Sequence, residues 1–193
     1  MSKPDSDDIT EAEVNKAQRR WCKGLIAICK KYPNGDYRGE AERFIDENYD
    51  FGKSAVFFRP TLAMYPQNFR TTREGALSYF IGENERFPKD DGFIKKGWRK
   101  AKFDNTIEGK KAIQVHRNIG IAMGNVYLMQ EVTVGGTWTV VDKVFVYLKR
   151  DGEVRLIVHN SAVSNLPPLE KPEDKKGGKS KKTKGAKKTK SKR

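Results

Sequence analysis

From Trp98 onward the apolar pattern of this chain has a period of two, and the amphipathic patterns of period 3.6 all lie before it. Strands are expected near Trp98–Asn105, Ala112–Arg117, Ile121–Thr133, Thr137–Lys149 and Glu153–Val163. Gly135-Gly136 and Asp151-Gly152 supply hairpin turns between the later ones. Upstream, Thr10-Glu11-Ala12-Glu13 forms a capping box. It starts a helix over about Glu11 to Lys31, with Val14, Ala17, Trp21, Leu25 and Ile28 on one face. A second helix runs from about Tyr37 to Asn48, burying Ala41, Phe44 and Ile45, and Tyr49-Asp50-Phe51-Gly52 closes it. Ser54 to Arg59 is a short apolar strand stopped by Pro60. Thr71-Thr72-Arg73-Glu74 reads as another capping box, opening a short helix through about Ile81.

Helices gathered ahead of an antiparallel meander bury an apolar sheet face by packing on one side of it, which makes the domain α+β. Gly120 and Gly124, inside strand patterns, suit bends that curl such a sheet into a cone with three helices against it. Pro167-Pro168 ends the pattern. The expected organisation is a disordered segment over 1–9, a folded domain over 10–168 and a disordered basic tail over 169–193.

The charge of +14 belongs mostly to that tail. Residues 171–193 hold 12 Lys/Arg and 2 Asp/Glu of the chain's 39 and 25. The tail is a polycation that attracts nucleic acid or another polyanion without sequence preference, or a solubilising tether. It has no aromatic residue on which a base could stack. No apolar run approaches the ~20 residues of a membrane span. The acidic, polar first ten residues lack the pattern of a secretory signal. Cys22 and Cys29 lie two helical turns apart, ~10.5 Å along the axis, too far to bridge each other. They read as small, reduced, buried residues, which fits a cytoplasmic protein.

Chemistry-bearing residues are few. There are two histidines, His116 and His159, and no H-E-x-x-H, paired C-x-x-C or Gly-rich phosphate loop. A zinc site needs three or four converging ligands and would consume nearly every candidate in the chain, so no metal or other cofactor is expected. In Leu156-Ile157-Val158-His159-Asn160-Ser161-Ala162, alternation puts Arg155, Ile157, His159, Ser161 and Val163 on one face. His159 and Ser161 then stand about 7 Å apart along the strand. Taken alone, His159 fits a core histidine with satisfied ring nitrogens as well as a functional one. Thr61 alone reads as a turn threonine and Tyr79 as a core filler.

Several ordered blocks together resemble a known family. Ser54-Ala55-Val56-Phe57-Phe58-Arg59-Pro60-Thr61-Leu62-Ala63 is similar to its V-L-F-K-P-T-x-A segment. Phe69-Arg70-Thr71-Thr72, Gly75 to Gly82, and Phe87-Pro88-Lys89-Asp90-Asp91-Gly92-Phe93 to Trp98 follow in its order. Ala122-Met123-Gly124-Asn125-Val126-Tyr127 resembles A-M-G-N-Y-Y, and Val158-His159-Asn160-Ser161-Ala162 stands where the family has L-H-H-S-S. The family is the iota-class carbonic anhydrases, and the resemblance runs from about Trp21 to Pro168. They belong to the superfamily of SnoaL-like and calcium/calmodulin-dependent kinase II association domains, with the cone-shaped fold of nuclear transport factor 2.

The resemblance implies a lyase that interconverts carbon dioxide and bicarbonate without metal. It implies a pocket group of Thr61, Tyr79, His159 and Ser161. In such a group the three hydroxyls would hold the water and the forming bicarbonate oxygens, and His159, with an unperturbed pKa of ~6.5, would shuttle the proton. Two departures, Asn160 for the second histidine and Ala162 for the last serine, fall by alternation on the face opposite His159 and Ser161. The segment Val140-Val141-Asp142-Lys143-Val144-Phe145-Val146-Tyr147 also departs from the family's V-E-Y-T-F-G-Y. The broad uncovered sheet face implies a homodimer. The alternative is a non-enzymatic binding or oligomerisation module that its tail tethers to polyanions. Another SnoaL-like enzyme ranks last, because no acidic dyad stands at a recognisable spacing.

Overall fold

A computed structural model of the chain describes residues 7–130 and 138–164. The expected Gly135-Gly136 turn, the Pro167-Pro168 boundary, the basic tail and most of the N-terminal segment lie outside them. Helix α1 (Glu11–Lys31) begins at the expected box: the Thr10 hydroxyl accepts the Glu13 amide at 3.2 Å, and the Glu13 carboxylate accepts the Thr10 amide at 2.8 Å. Helix α2 (Tyr37–Asn48) is capped by Asp36, whose carboxylate accepts the Gly39 amide at 2.8 Å.

Helix α3 (Arg73–Ile81) starts one residue later than the Thr71–Glu74 box implies. Thr72 is the residue with extended backbone, at φ −122° and ψ 153°, so its hydroxyl makes the cap, to the Gly75 amide at 3.1 Å. Glu74 turns outward instead, to Arg86 at 2.7 Å and Asn84 at 3.1 Å.

Among the described residues, eight strands follow the helical and loop segments or interleave with them: β1 (Phe57–Arg59), β2 (Lys100–Asp104), β3 (Thr106–Ile107), β4 (Lys110–Lys111), β5 (Ile113–His116), β6 (Ile119–Met129), β7 (Trp138–Arg150) and β8 (Glu153–Val163). The main sheet has the order β1-β8-β7-β6-β2, with β5 also on β6 and the β3–β4 hairpin looping out between β2 and β5. The sheet is therefore open, and it is mixed rather than wholly antiparallel, because β1 runs parallel to β8. The long return from β1 to the last strand leaves its direction free, unlike a tight hairpin. At the β7–β8 turn, Asp151 and Gly152 both take positive φ, 53° and 73°, as a tight right-twisting hairpin requires. Helix α1 lies across β2, β5, β6 and β8, α2 packs on α1 and β8, and α3 packs on α2. No helix among the described residues is long and apolar enough to cross a membrane.

Two local expectations fail for a physical reason. Gly120 and Gly124 are close approaches rather than bends: a Cβ at Gly120 would meet Val14 of α1 at 2.6 Å, and one at Gly124 would overlap the Asp104 carbonyl. The bulge sits elsewhere. Val146 pairs with Val158 but Tyr147 with Leu156, leaving Ile157 without a partner. That extra residue resets the alternation. Val154, Leu156, His159 and Ser161 are the buried residues of β8, and Arg155 and Ile157 do not share their face.

Candidate active site

His159 and Ser161 project from β8 toward the helices, into the deepest part of the core, at 1% and 0% exposure. The imidazole is boxed by aromatic rings. Phe58, its partner in the parallel pairing of β1, stacks on it with centroids 4.4 Å apart, and Tyr49 stacks at 6.0 Å. Phe145 meets it edge-on at 4.5 Å and Trp21 at 5.7 Å. Burial in this box, together with the charge of Lys143, holds the imidazole well below the usual histidine range. A proton shuttle with an unperturbed pKa does not describe this ring.

Each ring nitrogen has a partner. Nδ1 lies 2.8 Å from the Tyr49 hydroxyl, which in turn accepts the Trp21 indole N–H at 3.0 Å. Nε2 lies 2.9 Å from Ser161 Oγ and 3.0 Å from Lys143 Nζ. Lys143 Nζ is itself 2.5 Å from Ser161 Oγ, so the three polar atoms form a triangle in the core. Lys143 reaches it from β7, where alternation aligns Val141, Lys143, Phe145 and Tyr147 inward. Opposite Lys143 on β6 stands Gly124, so no side chain crowds the amine from that strand.

Thr61 and Tyr79 form a second group. Thr61 follows β1, and Tyr79 sits in α3, stacked on Phe93 at 5.4 Å. Burial raises the Tyr79 phenol well above its usual value, and the Thr61 hydroxyl and the Thr61 and Leu62 amides beside it offset part of that rise. The Thr61 hydroxyl oxygen is buried without a hydrogen-bond partner, so it lies near the phenol without being bonded to it. Phe58 separates the two groups, stacked on His159 on one side and edge-on to Tyr79 at 5.5 Å on the other. A cavity of about 60 Å³ opens beside Tyr79, with the cations Lys89 and Lys96 among the residues that line it. A water molecule takes about 30 Å³ in the liquid, so this cavity is on the scale of about two waters.

Asn160 and Ala162 lie on the opposite, open face of the sheet, Asn160 exposed and Ala162 half-buried. Cys22 and Cys29 are both free and buried in α1. Among the described residues, no three His, Cys, Asp or Glu side chains converge in a way that could hold a metal ion.

A family model described as metal-independent carbonic anhydrase matches residues 12–163. The chain belongs to that family. A metal-independent carbonic anhydrase from Nostoc sp. is 41% identical over 162 residues, covering 80% of this chain and 74% of the relative. The crystal structure of a cyanobacterial iota-carbonic anhydrase complexed with bicarbonate superposes with a TM-score of 0.77 at 37% identity, over 86% of this chain and 99% of that one. An NTF2-like protein with a cystatin-like fold from Novosphingobium aromaticivorans, 9% identical, matches at a TM-score of 0.51 over 81% of this chain and 83% of its own. That last likeness shows the fold alone.

Sequence alone does not point to three residues that surround His159 in the core: Lys143, Tyr49 and Trp21. Lys143 had a signal, since it is a lysine inside an apolar alternation and within a segment that departs from the family pattern. Tyr49 and Trp21 had none, because one reads as the end of a helix and the other as an apolar helix residue.

Proposed function

We propose that this chain hydrates carbon dioxide to bicarbonate and catalyses the reverse reaction, with Thr61, Tyr79, His159 and Ser161 as its working group. The observation that carries the reading is the contact of His159 and Ser161, 2.9 Å apart on the inner side of β8, within the family's matched span. Hydration makes one bond, from the water oxygen to carbon, and sheds one proton. In this reading the Thr61 and Tyr79 hydroxyls hold the oxygens that gain negative charge and Ser161 orients the water, which requires the Phe58 ring between the two groups to move aside during turnover. The unpaired Thr61 hydroxyl suits that role, since it costs no protein hydrogen bond to engage a substrate oxygen.

Tyr79→Phe and Ser161→Ala are each expected to lower the hydration rate on the order of 10²-fold while the fold stays intact. Asn160→His, on the open face, is expected to leave it unchanged. Stopped-flow hydration with chelator present reads all three. Unchanged rates in both hydroxyl variants would remove the assigned group, and a large gain in Asn160→His would show that the wrong face was chosen. Truncation after Glu170 belongs to the same series. Hydration survives it if the pocket is the function, and any binding to polyanions is lost with the tail.

The working unit is proposed to be a homodimer paired through the open sheet face, in a reducing cytoplasm where Cys22 and Cys29 stay thiols. Phe57, Val158, Val146 and Ile121 line up across four adjacent strands there, and Phe57 is 62% exposed. Met123 and Val144 adjoin that row. An apolar row of this kind is normally covered by a partner surface. Sedimentation equilibrium at micromolar concentration should give twice the chain mass, and Ile121→Glu should halve it. A wild-type chain that sediments only as monomer would refute the pairing.

A further inference from the structure

A buried lysine without a carboxylate partner is costly to keep, and the Lys143 amine has two polar contacts, His159 Nε2 and Ser161 Oγ. The directions follow from what each group can do. The Trp21 indole nitrogen can only donate, so the Tyr49 oxygen accepts from it. The Tyr49 proton then needs an acceptor in a buried site, and His159 Nδ1 at 2.8 Å provides one. A neutral ring that accepts at Nδ1 carries its proton on Nε2. That N–H faces Ser161 Oγ at 2.9 Å and Lys143 Nζ at 3.0 Å. An ammonium has three donors and no lone pair, so it would set N–H against N–H. A free amine has one lone pair, so its 2.5 Å contact with Ser161 Oγ can run from the hydroxyl to the nitrogen as well as from the nitrogen to the hydroxyl, and in the first sense it completes the chain from Trp21 through Tyr49, His159 and Ser161.

We propose that Lys143, acting through Ser161, is the terminal proton acceptor of the hydration reaction, and that its protonation reverses the tautomer of His159. The inference rests on the carbonic anhydrase reading above. The step balances. The water oxygen bonds to carbon while one water O–H bond breaks. That proton passes to Ser161 Oγ as the Ser161 proton passes to Nζ, giving bicarbonate and an ammonium. The ammonium then donates to Nε2: the ring gives up its Nε2 proton to buffer and takes one from buffer at Nδ1, so it still carries a single proton, and Tyr49 accepts from both Trp21 and His159. That loaded state leaves the Tyr49 proton without a partner, which favours release of the proton to buffer and return of the amine. Lys143 is a positioning residue in this scheme, since Ser161 stands between it and the reacting atoms.

The surroundings support an amine. From α1, Lys143 faces the Cys22 thiol, which burial pushes up to about 12 and so keeps neutral, and the Trp21 ring at 5.3 Å. From β8 it faces His159 and Ser161, and from β6 the side-chain-free Gly124. No described carboxylate pairs with it, and burial brings its pKa down to about 7.

The chain has two histidines, and His116 is exposed, so histidine labelled with ¹⁵N resolves the buried ring. In the full-length wild type the His159 signals should report an Nε2–H tautomer at pH 9. They should report an Nδ1–H tautomer at pH 5.5, with a midpoint near pH 7 and no imidazolium. Hydration should rise through the same midpoint. In Lys143→Met the tautomer should stay Nε2–H at every pH, the limb near pH 7 should vanish, and the rate should fall about 10²-fold or more. Ser161→Ala should lower the rate but keep the tautomer switch, because Lys143 still touches His159. A wild-type tautomer that ignores pH, or a Lys143→Met variant that keeps the limb, overturns the proposal. A wild type inactive at every pH overturns the activity reading instead, and the tautomer titration then decides the amine–imidazole coupling by itself.

Discussion

Asp90→Ala is expected to destabilise the domain by about 3–5 kcal/mol, because it strands a buried guanidinium. Arg70 and Asp90 are paired with side-chain exposures of 2% and 3%, through contacts at 2.5 and 3.3 Å. Arg70 also donates to the carbonyls of Gln67 and Phe69 and lies 4.6 Å from the centre of the Phe87 ring. Asp90 accepts the Ser78 hydroxyl at 2.7 Å. The pair thus ties the loop after α3 to the helix that carries Tyr79 and to the segment after β1 that carries Thr61. Domains of this size are stable by about 5–15 kcal/mol, so the loss is a large share of the total. Replacing both partners, as Arg70→Met with Asp90→Leu, should cost much less than Asp90→Ala, since no lone charge remains. Urea denaturation at neutral pH measures both. An Asp90→Ala variant within about 1 kcal/mol of wild type would show that water reaches the guanidinium after the cut.

The parts of this fold that were legible in the sequence are those governed by neighbours in sequence. The limits of α1 and α2 follow from Thr10, Glu13, Asp36 and the periodicity between, and Asp151-Gly152 makes the turn its residue types require. The parts that were not legible depend on distant contacts. Pairing of β1 with β8 joins Phe58 to His159, about a hundred residues apart, and no local pattern states that direction. The bulge at Ile157 shifts the face of Arg155 without any glycine to mark it. Tyr49 is indistinguishable from a helix terminator until the fold sets its hydroxyl against Nδ1 of His159. The resemblance implies one pocket group of four residues, and no local pattern shows that the Phe58 ring lies between His159 and Tyr79 within it.

Lys143→Met is expected to be more stable than wild type near neutral pH, with a margin that shrinks as pH rises. The sign follows from proton counting. The amine titrates near pH 7 in the native chain and near ~10.4 once unfolded. Between those values the unfolded chain binds more protons, so the stability of the wild type rises with pH through this group. Below pH 7 the full penalty applies, on the order of 5 kcal/mol from a shift of that size at 1.36 kcal/mol per unit. Methionine fills the volume of the lysine stem and has no charge to desolvate. His159 Nε2 and Ser161 Oγ, 2.9 Å apart, still pair with each other in its absence. Burial raises the phenols of Tyr49, Tyr79 and Tyr147, so above pH 10 the unfolded chain loses protons that the native one keeps, and stability falls again. That loss is common to both chains and cancels in the difference. Paired urea titrations at intervals from pH 6 to 9.5 should therefore show a gap of several kcal/mol at pH 6 to 7 that closes steadily toward pH 9.5. A gap that stays constant over that range would mean the amine does not titrate there. The relay through His159 would then lose its acceptor along with the stability argument, because a lysine that remains an ammonium has no lone pair to offer Ser161.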